Sequence, residues 1–135
     1  MEKAYRIDLS LTAEKTYIDL FEKAKPHLEA GNTTHPLVKR LRIVDECIDS
    51  IIPNQPFSKV KALSGVLSTI FRVKKGRMRI CYIGSSAAYH IIVLYISETD
   101  RKDGDRNDPY MIFSKMVLSG KFDNFFDTLG MKRPH

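Results

Sequence analysis

The stretch "IFRVKKGRMRICYI", residues 70–83, places five cations, Arg72, Lys74, Lys75, Arg77 and Arg79, around a single glycine between two apolar runs. Apolar and polar positions alternate with period two on both sides of Gly76, the pattern of a β-hairpin. A two-residue loop of Lys75 and Gly76 pairs Val73 with Met78, Arg72 with Arg79 and Phe71 with Ile80. One face then carries the apolar side chains and the other the guanidiniums. A slip by one residue would mix the faces, whereas a longer loop of the same parity would keep them. In the first register two arginines stand opposite one another, which costs a few tenths to about 1 kcal/mol unless something negative lies between them. Phosphate answers that need, because a guanidinium fork matches its oxygens. The alternative is an acid from the first half of the chain, Asp8 or Glu14, folded over the pair.

The charge distribution around the hairpin is lopsided. Residues 1–60 hold nine Lys or Arg and nine Asp or Glu, so the net charge of +6 lies wholly in residues 61–135. Between Asp49 and Glu98 there is no acid at all. A solvated surface usually intersperses the two signs, so a segregated basic field points to a polyanion, either nucleic acid or an acidic protein segment.

Working outward, "YRIDLSL" alternates as a half-buried strand. Thr12 is a candidate cap for a helix with Tyr17, Leu20, Phe21, Ala24 and Leu28 on its apolar stripe, which Pro26 kinks or ends. "GNTTHP" is a loop leading to a second helix, capped by Thr33 or Thr34, with Leu37, Leu41, Val44, Ile48 and Ile51 buried and Pro53 and Pro56 as its stop. "VLSTIFRV", "RMRICYI" and "AYHIIVLYIS" are three strand candidates. "ETDRKDGDRNDP" breaks the pattern, and "YMIFSKMVL" and "FDNFFDTLG" are two short helices. The expected fold is α+β: an N-terminal strand and two-helix hairpin packed on an antiparallel sheet of about four strands, followed by C-terminal helices. Residues 1–135 form a single domain in this reading.

Composition excludes several classes. Cys47 and Cys81 both lie in apolar stretches without metal-ligand spacing, so neither zinc nor a disulfide is expected and both suit a reducing compartment. "MEKAYRIDLSLTAE" has neither signal- nor transit-peptide character, and "YHIIVLYIS" is too short to cross a bilayer. A soluble, cytoplasmic protein with no membrane association is expected. His90, inside that run, is read as a satisfied sheet histidine rather than a base. Phe113, Met116, Phe122 and Phe126 are read as core in preference to a docking surface.

Four pieces of the sequence, in order, resemble the RelE/ParE toxin superfamily of bacterial toxin–antitoxin pairs. "KALSG" at 61–65 is similar to that family's Lys-x-Leu-x-Gly approach to its hairpin, and "IFRVKKGRMRICYI" to the basic hairpin itself. "VLYIS" is similar to the next strand, and "DRKDGDRNDPY" to the Arg-Lys-Asp-x-Tyr segment after it. Two departures stand out: Ile70 occupies a position where many of the nucleases have a second basic residue, and "GDRN" is inserted before Tyr110.

The resemblance implies a small toxin bound by a cognate antitoxin. It would act either as a ribosome-dependent mRNA endonuclease or, in the ParE branch, as an inhibitor of DNA gyrase. In the nuclease branch a ribose 2′-OH attacks the adjacent phosphate, and basic side chains rather than a metal or cofactor stabilise the transition state. Matched residue by residue, Arg72 and Arg79 would hold the scissile phosphate, and Arg101 or Lys102 would add charge or protonate the leaving oxygen. Tyr110 would serve in proton transfer if neighbouring cations lower its pKa from about 10. Lys61, Lys74, Lys75 and Arg77 are the candidates for further RNA contacts. A non-catalytic module that holds RNA or an acidic peptide on the same basic face is the reading of a different class.

Overall fold

In the computed structural model, which describes residues 4–76, 78–97 and 109–135, one strand, two helices, three strands and two further helices follow one another along the chain. They are β1 (Arg6–Leu9), α1 (Leu11–Glu29), α2 (Pro36–Glu46), β2 (Phe71–Lys75), β3 (Met78–Ser85), β4 (His90–Ile96), α3 (Pro109–Leu118) and α4 (Asp123–Thr128). The sheet order is β1-β4-β3-β2. The hairpin pairs are antiparallel as expected, but β1 joins β4 in parallel, so the α+β fold carries a mixed sheet.

The two helix pairs sandwich this sheet. Ala13, Leu20 and Ala24 of α1 and Val38, Leu41 and Val44 of α2 close over one face with Val73, Ile80, Tyr82 and Val93. Phe113 and Val117 of α3 and Phe122 and Phe126 close over the other, with Cys81, Ile83, Ile92 and Leu94. The two inner strands are therefore buried on both sides, which is why "HIIVLYI" is continuously apolar rather than alternating. Phe113, Phe122 and Phe126 are core, as the sequence suggested. Both cysteines are buried free thiols. Burial drives the pKa of Cys47 up to about 11 and that of Cys81 up to about 12.

Local punctuation differs from the sequence reading at four points. Ser10, not Thr12, caps α1: its Oγ accepts from the Ala13 N–H at 3.0 Å and donates to the Leu94 carbonyl at 2.6 Å, so the cap also fastens the helix to β4. Pro26 does not end α1, which runs to Glu29; a proline near a helix C-terminus forfeits one backbone bond without stopping the last turn. The cap of α2 is His35, whose Nδ1 accepts from the Leu37 N–H at 3.1 Å, with Pro36 opening the helix. In the stretch expected to start a strand at residue 66, Gly65–Leu67 is a short 3₁₀ turn instead. Bonds from the Leu63 N–H to the Ile70 carbonyl and from the Ile70 N–H to the Leu67 carbonyl fold that segment into a loop, and β2 begins only at Phe71.

The hairpin register also differs. Lys75 pairs with Met78, Lys74 with Arg79, Val73 with Ile80 and Arg72 with Cys81. Gly76, at φ +60°, takes the first loop position, where a left-handed conformation costs glycine nothing; the expected loop would have asked it of Lys75. The shift is by two residues in the pairing, so the parity and hence the two faces survive. Arg79 stands opposite Lys74 instead of Arg72.

Candidate active site: a cationic cleft beside Tyr110

Period-two alternation turns Arg72, Lys74 and Arg79 to the α3 side of the sheet, while Val73, Met78 and Ile80 enter the α1/α2 core. β2 is the edge strand of the sheet, bridged on its outer side by Ala62 at Phe71. The first turn of α3 brings Tyr110 down onto them. Arg72 Nη1 donates to the phenolic oxygen at 3.1 Å, and the guanidinium carbons of Arg72 and Arg79 lie 5.5 and 5.8 Å from the ring centroid. Contacts of that length are within cation–π range. Both cations thus contact one aromatic ring.

The two arginines are not equivalent. Arg72 is half-buried and lines a cleft of about 660 Å³ with Lys74, Tyr110, Ser114, Leu63 and Ser64. Arg79 is 3% exposed, and its Nη1 donates to the carbonyls of Gly76 at 2.9 Å and Met78 at 3.2 Å. Its charge sits beneath the tyrosine while its fork helps to close the hairpin turn.

Tyr110 departs from the expected direction. Its pKa is raised, because burial outweighs the lowering effects of Arg72, which include the hydrogen bond, and of Arg79. It is a neutral phenol at physiological pH. Its oxygen accepts from Arg72.

The other sequence candidates are dispersed. Lys61 donates to the carbonyls of Ile51, Asn54 and Gln55, and burial lowers its pKa; it ties down the loop after the wide π-type turn Cys47–Ile51. Lys75 lies on the opposite face, 3.9 Å from Glu46. Arg77, Arg101 and Lys102 lie outside the described residues. Of the two acids considered, neither covers the arginines: Asp8 pairs with Arg6 at 2.9 Å and His90 at 2.7 Å at the opposite edge of the sheet, and Glu14 is exposed on α1. His90 is accordingly a satisfied sheet histidine. Among the described residues, no three His, Cys, Asp or Glu side chains gather where a metal could be held, and no helix is long and apolar enough to cross a membrane.

Sequence reasoning did not single out Leu63, Ser64, Leu67 and Ser114, which line the same cleft. The "KALSG" motif carried the available signal for the first two, since Gly65 adopts φ +65° and bends that segment toward the hairpin. Nothing in the sequence marked Ser114.

Over residues 5–133 the chain matches a family of YhaV-type toxins described as having endonuclease activity and belonging to a toxin–antitoxin system. No curated protein matches it in sequence. Among solved structures it is similar to the Mycobacterium tuberculosis toxin–antitoxin complex RelBE2, with a TM-score of 0.53 at 16% identity, covering 75% of this chain and 98% of that one. It is also similar to the isolated Escherichia coli RelE toxin, with a TM-score of 0.44 at 15% identity, covering 86% of this chain and 98% of that one. The first likeness shows that the fold is RelE-like.

Proposed function

The chain belongs to the YhaV family of toxin–antitoxin endonucleases, and on that premise we propose that it cleaves mRNA on the ribosome, without a metal, by transfer of a phosphodiester to its own 2′-hydroxyl. The observation that carries this reading is the Arg72–Tyr110 pair at the mouth of a cationic cleft. In such a reaction the 2′-hydroxyl gives up its proton to water as its oxygen bonds to phosphorus, the bond to the 5′-oxygen breaks, and that oxygen must gain a proton. Arg72 and Lys74 are placed to hold the phosphoryl oxygens as negative charge builds on them. Tyr110, neutral and with its oxygen already accepting from Arg72, is suited to donate the proton. Arg79 supplies buried positive charge against the Tyr110 ring. Arg101 or Lys102 would add further charge.

Endonuclease activity in the family favours this reading over gyrase inhibition and over a binding module. A cognate antitoxin is the expected partner, with an acidic or amphipathic segment that covers the cations. The test is incubation with mRNA-programmed ribosomes, wild type beside Arg72→Ala, with RNA ends mapped by primer extension and chemically typed. The expected result is cleavage by wild type alone, requiring ribosomes and leaving 2′,3′-cyclic phosphate and 5′-hydroxyl ends. Equal cutting of naked RNA would overturn ribosome dependence, and 5′-phosphate ends would overturn the chemistry.

A further inference from the structure

The cleft is larger than a phosphate requires. Arg72, Lys74 and Tyr110 line it together, among the described residues, with Leu63, Leu67, Ser64 and Ser114, and the volume of about 660 Å³ lies in the range of small-ligand pockets. Leu63 and Leu67 are partly buried against the α3-side core, so they present a fixed aliphatic surface rather than mobile side chains. The two backbone bonds between this loop and Ile70 hold it in place before anything binds. At Gly65 the space where a side chain would project is open. Ser64 and Ser114 add hydroxyls, which both donate and accept and so can read the polar edge of a planar ring.

An aliphatic wall, two hydroxyls and an adjoining pair of cations together match one chemical class: a nucleobase linked through its sugar to a phosphate. We propose that the cleft is a nucleobase subsite, in which the base of the nucleotide bearing the bound phosphate lies against Leu63 and Leu67 and is read at its edge by Ser64 and Ser114. The assignment of that nucleotide to the cleaved RNA rests on the nuclease reading above. The subsite makes this chain selective for the base beside the bond it breaks.

The test is a methyl and amide NMR titration of the full chain with each of the four ribonucleoside 3′-monophosphates, with ribose 5-phosphate and inorganic phosphate as base-free probes. At least one nucleotide is expected to bind ten-fold or more tighter than ribose 5-phosphate and to shift the Leu63 and Leu67 methyls. Ser114→Phe, which fills the cleft from the α3 side, is expected to abolish that difference while phosphate binding persists. Equal affinity for nucleotides and ribose 5-phosphate, or leucine methyls that do not move, would overturn the subsite. Ser114→Leu is the second variant should the phenylalanine unfold α3. Because the readout is binding, the two ideas fail separately: base-dependent binding without RNA cleavage sinks only the nuclease reading, and cleavage without base-dependent binding sinks only the subsite.

Discussion

Arg72 and Tyr110 are 38 residues apart in the chain, yet Arg72 Nη1 donates to the Tyr110 hydroxyl at 3.1 Å and its guanidinium carbon lies 5.5 Å from the ring centroid. One pair thus joins the edge strand β2 to the first turn of α3, and it brings the cation of one and the proton of the other to the same cleft.

Removal of the fork is expected to be costly. Arg72→Ala should lower the rate of mRNA cleavage by about 10²- to 10³-fold, the usual effect of deleting one preorganised donor to a developing oxyanion. Arg72→Lys keeps the charge but not the planar two-point geometry, and should fall between the two. Single-turnover cleavage on programmed ribosomes measures both, with circular dichroism to confirm that the fold is retained.

Tyr110→Phe preserves the ring against the guanidiniums and removes only the hydroxyl. If that hydroxyl delivers the proton, the chemical step should slow by about 10²-fold or more with little change in binding. Burial raises the Tyr110 pKa, so the phenol stays protonated as pH rises through 9. The wild-type rate should therefore show no falling limb from this group below pH 10; a limb near pH 8 that disappears in Tyr110→Phe would contradict the assignment.

Buried Ser10 has a double role, at the start of α1 and against β4. Ser10→Ala loses the cap of α1 and the donor to the Leu94 carbonyl at once. A stability loss of about 1–3 kcal/mol is expected, from a cap of about 1 kcal/mol and a buried carbonyl left without its side-chain donor. Urea denaturation reads this directly.

Tyr17 and the two cysteines link stability to alkaline pH. Tyr17 donates to Asp45 at 2.6 Å, and that hydrogen bond, then burial, raises its pKa to about 12. A group whose pKa is higher folded than unfolded contributes stability in full below its unfolded pKa, here about 10, and loses it as pH climbs toward 12. Cys47 and Cys81 act in the same direction over about pH 9 to 12. Stability should therefore fall above pH 9 to 10, and Tyr17→Phe should flatten the part of that fall owed to Tyr17. At pH 8 both thiols should resist a disulfide reagent in the native chain and react on unfolding; rapid native labelling of either would contradict their burial.

Much of the architecture was legible because it depends on local periodicity. The alternation around Gly76 assigned Arg72, Lys74 and Arg79 to one face and Val73, Met78 and Ile80 to the other, and a two-residue change of register left that assignment intact because the side-chain period is itself two. The same parity made the pairing partner of Arg79 unreadable, since registers that differ by two satisfy the hydrophobic pattern equally. Helix caps were misplaced for a related reason: Thr12 and Ser10 are both capable side chains, and only the Leu94 carbonyl above Ser10 decides between them.

By itself the sequence determined that a basic face exists, that it lies on a hairpin, and that no acid lies between Asp49 and Glu98. Those properties follow from residue order and alternation alone. Only the tertiary structure decided what the face confronts. Packing of α3 on the sheet lays Tyr110 across both arginines, buries it enough to keep its proton, leaves Arg72 open to the cleft, and sinks Arg79 beneath it. Burial and approach depend on elements distant in the chain, and no local pattern encodes the free energy of their contact.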